Sequence, residues 1–110
     1  MDQPSPHEIA SRIAEAGREW SEKECAAQML EETRRSVRAQ IASEHIAESG
    51  SVAKAELLAE ASAKYREHIK AMVEARKQAN IAKVNYDTGK LWTDLVRTRE
   101  ASERAAMQMR

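Results

Sequence analysis

From Ile9 onward, apolar side chains recur at Ile13, Ala16, Trp20, Ala27, Leu30, Val37 and Ile41, in steps of three, four or seven. That spacing draws one stripe down a helix. Charged Lys23 and Arg34 interrupt it, so the stripe is no strict zipper. A second stripe runs through Leu58, Tyr65, Ile69, Val73, Val84, Leu91 and Leu95. Several members stand 11 apart, namely Leu58 and Ile69, then Val73, Val84 and Leu95. A repeat of that length suits a nearly straight or slightly right-handed winding rather than a heptad supercoil. Arg76, Asn80 and Asp87 fall on the same line. Unpaired polar groups inside a seam are costly, so these three are expected to meet partners across it or to lie at its edge.

Between the stripes stands Ser49-Gly50-Ser51, the clearest turn in the chain, with Gly50 suited to end one helix and Ser51 to cap the next. At the other end, Ser5-Pro6-His7-Glu8 places Ser at the N-cap, Pro at the first helical position and Glu at the third, a capping box. The expected fold is therefore all-α, a single helical domain over 1–110 built as a long antiparallel hairpin. Its parts are a helix over 6–48, a turn at 49–51 and a helix over 52–110. Two further breaks are compatible with the sequence. One lies at Gly17, where Ser21-Glu22-Lys23-Glu24 would restart the helix; the other lies at 87–89, which would release a short third helix from about Lys90. Unbroken helices of these lengths would reach ~65 and ~87 Å. Two slender helices bury little of themselves, so assembly into a dimeric helical bundle is the expected remedy.

Composition agrees with slender helices. Alanine occurs 20 times, Phe is absent and charged residues make up 33%. That is a thin supply for a globular core and a fair one for narrow seams between helices. The mean hydropathy of −0.71 would also suit a disordered chain, but the apolar spacing is too regular for a solvated tail. Charge is split along the chain: residues 1–50 hold 6 Lys/Arg against 10 Asp/Glu, and residues 51–110 hold 12 against 8. The simpler consequence is that the two arms neutralise each other; a dedicated acidic or basic partner is the alternative. The lone Cys25, the absence of a long apolar run and a start without signal-peptide character lead to the expectation of a cytoplasmic protein without a membrane span.

Little in the chain suggests chemistry. His7, His45 and His68 have no metal-binding spacing, and Glu44, His45 and Glu48 read as an ordinary surface group at a helix end. Neither a catalytic residue nor a cofactor or metal is expected. Two surfaces stand out. Val84, Leu91, Trp92, Leu95 and Val96 form an apolar cluster wider than one hairpin partner would cover, and Trp is a favoured interface anchor. Arg76, Lys83, Lys90, Arg97 and Arg104 recur every 7 residues and would form a basic ridge able to follow a phosphate backbone. Asp87, Asp94 and Glu100 lie close enough to neutralise much of that ridge. The leading functional expectation is a non-enzymatic module that self-associates and binds another protein through the apolar cluster. The alternatives are a nucleic-acid-binding accessory of DNA recombination using the ridge, and a structural coiled-coil spacer.

The segments Ala82-Lys83-Val84-Asn85-Tyr86-Asp87 and Leu91-Trp92-Thr93-Asp94-Leu95-Val96-Arg97-Thr98-Arg99-Glu100 resemble the C-terminal segments of small helical proteins encoded by phages and prophages. The resemblance covers about a quarter of the chain and carries no active-site motif. It implies an accessory protein of a mobile element, acting in host cytoplasm either in DNA recombination or as an inhibitor or assembly factor on a host or phage complex.

Overall fold

The computed structural model describes residues 4–109; residues 1–3 and residue 110, the expected end of the second helix, lie outside it. It contains three helices and no strand among the described residues: α1 (Pro6–Ser49), α2 (Val52–Ala61) and α3 (Ala63–Gln108). α1 runs antiparallel to α2 and α3, which together form the second arm of a hairpin. The particle measures 86 × 21 × 18 Å, and its radius of gyration is 24.1 Å. A compact chain of this length would have a radius of about 13 Å. The molecule is a rod.

Local sequence explains both ends of α1. Ser5 Oγ accepts from the Glu8 amide at 3.1 Å, and Glu8 Oε2 accepts from the Ser5 amide at 3.3 Å. That is the reciprocal capping box, with Pro6 at the first helical position. At the other end Gly50 takes φ +75° and donates its amide to the Ile46 carbonyl. A residue with a Cβ is strained in that left-handed conformation, so the turn needs its glycine. Ser51 then caps α2 by accepting from the Lys54 amide at 3.2 Å.

The second arm breaks, but not at either expected place. α1 passes through Gly17 and α3 passes through 87–89 without interruption, so no third helix starts at Lys90. The interruption is Ser62, whose ψ of 151° is extended. Its hydroxyl donates to the Ala59 carbonyl at 2.6 Å and accepts from the Tyr65 amide at 3.2 Å, closing α2 and opening α3. The joint keeps Ala55 and Ala59 fully buried against Ile41 and Ala42, with Val37 and Tyr65 packed around them.

The α1 stripe is as the spacing predicts: Ile9, Ile13, Ala16, Trp20, Leu30 and Val37 are half-buried, and Ala27 and Ile41 are buried. The α3 stripe is different. Its inward positions are Tyr65, His68, Met72, Ala75 and Ala79, continuing through Ala82, Tyr86, Gly89, Thr93 and Val96. The steps alternate strictly between 3 and 4, the seven-residue repeat of a coiled-coil seam. From the expected eleven-residue stripe only Tyr65 and Ile69 stay at the seam, whereas Leu58, Val73, Val84, Leu91 and Leu95 are exposed. The physical reason lies in side-chain size. Six of the seven buried residues are Ala, which lets the two backbones approach closely. Larger side chains at those positions would hold the helices apart.

Arg76 and His68 find partners across the seam, whereas Thr93 donates to the Gly89 carbonyl of its own helix and Asn80 is exposed. Arg76 donates from Nε to Glu31 Oε1 at 2.7 Å and from Nη2 to Glu31 Oε2 at 3.0 Å, while Nη1 bonds Glu24. These two glutamates stand beside Lys23 and Arg34, where the apolar stripe of α1 is interrupted. His68 Nε2 meets the Leu30 carbonyl at 2.9 Å. Near the turn, Arg38 pairs with Glu56 at 3.1 Å and Glu60 at 3.4 Å, and Lys64 lies 3.7 Å from Glu44. The oppositely charged arms thus neutralise each other in part within the hairpin.

Candidate docking face

α3 buries Ala79 and Ala82 against α1 and turns Tyr65, His68, Ile69, Met72, Tyr86 and Val96 part-way inward, while its other large apolar side chains are left exposed. Val73, Ile81, Val84, Leu91, Trp92 and Leu95 occupy the outer half of α3, and Val84, Leu91 and Leu95 are 61%, 64% and 67% exposed. By contrast Ala79, on the seam side between Val73 and Val84, is 1% exposed. Residues of α3 alone line a shallow, open depression of about 530 Å³ in this region, framed by Val73, Arg76, Lys77, Asn80, Ile81, Val84 and Asn85. Scattered exposed apolar residues are ordinary, but six spread over the outward and flanking positions of one helix form a surface that water solvates poorly.

Four of the five residues expected to bind protein lie on this outer side: Val84, Leu91, Trp92 and Leu95. Val96 does not share their exposure. It is half-buried and borders a groove together with Ile9 and Ile13 of α1. Val73 and Ile81 belong to the strip although the sequence pattern assigned Val73 to the hairpin seam and left Ile81 unassigned. The signal was present in the eleven-residue spacing. A stripe of that period cannot stay on the same side as a seven-residue seam over several turns.

The basic ridge lies along the flank of the seam. Arg76 is held by two carboxylates, Lys83 Nζ sits 5.9 Å from the centroid of the Trp20 ring, and Lys90 Nζ sits 4.7 Å from that of Tyr86. These are cation–π distances. Arg97 borders the groove beside Ile9 and Ile13, and Arg104 lies exposed further along α3. The hydrogen bonds from Arg76 hold the Glu31 carboxyl below its ordinary value, with burial opposing and direct charge attraction assisting. Bonding to Glu31 and then Glu24 holds the Arg76 guanidinium above its own ordinary value.

A second open groove, of about 570 Å³, runs along the seam between Ile13, Gly17, Trp20, Cys25 and Tyr86. The Trp20 and Tyr86 rings stack there with centroids 5.5 Å apart. Neither groove is closed against solvent. The described residues include no group of three His, Cys, Asp or Glu placed to hold a metal ion, and His45 Nδ1 lies 3.7 Å from Glu48 as an isolated pair. No helix among the described residues is long and apolar enough to cross a membrane. No family model, curated protein or solved structure matches this chain.

Proposed function

We propose that this protein is a non-enzymatic interaction rod that binds protein through the outer face of α3. One observation carries the reading: Val84, Leu91, Trp92 and Leu95 are exposed on a helix whose seam with α1 is already filled by other residues, Ala79, Ala82 and Tyr86 among them. An apolar strip of this kind favours an apolar helix face as its complement, with Trp92 as an anchor. The resemblance of residues 82–87 and 91–100 to phage-encoded helical segments makes an inhibitor or assembly factor the specific form of the proposal. The ridge supports nucleic-acid binding less well, because Arg76, Lys83 and Lys90 already engage groups on α1 or on α3 itself.

The reading is tested with a photo-crosslinking side chain placed at Leu95 and, as a control, at exposed Arg35 of α1. In cells that carry the gene, protein adducts are expected from Leu95 and not from Arg35, and Leu91→Glu should remove them. Equal labelling from both positions, or none from Leu95, would refute the reading.

A further inference from the structure

Along one flank of the seam two columns of residues face each other at seven-residue spacing. On α3 the column is Arg76, Lys83, Lys90 and Arg97; on α1 it is Glu31, Glu24, Gly17 and Ala10. Towards the turn the columns match, since Arg76 bonds both Glu31 and Glu24. Beyond Glu24 the acids stop and small residues take their place, while the cations continue. Among the described residues no carboxylate forms an ion pair with Lys83, Lys90 or Arg97. Asp87 and Asp94 do not take them; Lys83 stands over the Trp20 ring and Lys90 over that of Tyr86. A ring occupies one side of an ammonium and leaves its other N–H donors free.

Where the acids stop, the flank opens. The groove at Gly17 and Trp20 and a second one of about 410 Å³ beside Pro6 and Val96 share Ile13 and Ala14. Together they follow α1 from Pro6 to Cys25, ~29 Å of helix. Ala14, at the junction of the two parts, is exposed. Of the acids along this trough, Glu24 is held by Arg76, and Glu100 lies at the far end. A trough of this length between two antiparallel helices fits a third helix of about 20 residues, packed about 8–10 Å from each.

We infer that this trough seats an amphipathic helix of a partner protein, whose apolar face carries along its edge acidic residues seven apart. Those acids supply the column that α1 leaves out, and electrostatic complementarity of this kind selects both partner and register. A phosphate backbone would gain nothing from the apolar floor, and Glu15 and Glu22, beside Arg18 on the outer rim, would repel it. This chain does not offer the guest itself. Glu8, Glu15 and Glu22 have the spacing but are flanked by Ser11, Arg12, Arg18 and Glu19. Glu60, Glu67 and Glu74 are flanked by Lys64, Lys70 and Lys77 and broken at Ser62. The trough is separate from the outer face of α3, and the inference does not depend on that face.

The test uses the full chain and a synthetic helical peptide of about 20 residues, with an Ala/Leu face bordered by three Glu seven apart. Fluorescence anisotropy of the labelled peptide should show binding about tenfold tighter than for the same peptide with Lys in place of Glu. Lys83→Glu with Lys90→Glu should reverse that preference; both lysines are exposed, so the fold survives. Ala14→Arg should weaken the peptide about tenfold although it adds a cation, because it fills the floor of the trough. Leu91→Glu, on the outer face, should leave the affinity within about twofold, so failure here and failure of the outer-face reading are told apart. Equal affinity for the two peptides would overturn the inference, as would tighter binding with Ala14→Arg. Tighter binding of a single-stranded oligothymidylate of about 20 nucleotides than of the peptide would make the cations a nucleic-acid track and overturn it. So would a wild-type mass in light scattering above one chain that falls to one chain with Ala14→Arg, since the guest would then be a second copy.

Discussion

Gly17 of α1 lies directly beneath the ring of Tyr86 on α3: a Cβ added there would stand 3.2 Å from Tyr86 Cε2. Gly89, the other glycine inside a helix, faces Ile13 Cγ1 at 3.9 Å, which is ordinary van der Waals contact. Gly89→Ala should therefore stabilise the hairpin by about 0.5–1 kcal/mol through helix propensity alone. Gly17→Ala gains the same propensity but must move a ring stacked on Trp20, so its net gain should be smaller. Gly17→Leu should destabilise by about 1–3 kcal/mol, the usual cost of overpacking. Thermal melts of the three variants check the order.

Arg76 and Glu31 make the interaction most sensitive to acid. The folded carboxyl of Glu31 titrates below its ordinary value of 4.5, chiefly because Arg76 donates hydrogen bonds to it. A depressed carboxylate contributes stability that is fully present above the unfolded value and is lost as pH falls through the folded one. The melting temperature should accordingly drop as pH is lowered from about 5, and Glu31→Gln should flatten that drop. Arg76→Ala should lower stability at neutral pH more than Lys83→Ala, because it strands Glu24 and Glu31 together at the seam.

Ser62 makes the joint between α2 and α3. Ser62→Ala removes both the bond accepted from Tyr65 and the one donated to Ala59, and should cost about 1 kcal/mol, the common loss for an N-cap. Denaturant titration followed by circular dichroism measures it.

Much of this architecture was legible in the residues. Ser5, Pro6 and Glu8 announce the start of α1, and Gly50 announces the turn. Every member of the α1 stripe faces the seam, because Ile, Leu and Trp stand out against Glu and Arg. Arg76 meets partners across the seam as expected of a polar group on that line. The second arm is harder to read because its fully buried residues are all Ala, which is also its commonest solvent-facing filler, and the His68, Tyr86 and Thr93 beside them give little contrast in hydropathy. Attention goes instead to Val84, Leu91 and Leu95, and these lie outside. Ser62 is hidden for a related reason: its third helical position is Tyr65 rather than Glu or Gln, so no capping box betrays it.

The central claim is that α3 closes the hairpin through Ala79 and Ala82 while Val84, Leu91 and Leu95 remain outside it. Circular-dichroism melts of Ala79→Glu and Val84→Glu test it most directly, at a concentration where light scattering reports the single-chain mass of 12.4 kDa. Ala79→Glu should collapse the cooperative transition by burying a charge at the seam, and Val84→Glu should stay within about 0.5 kcal/mol of wild type. A stable Ala79→Glu beside an unfolded Val84→Glu would contradict the account.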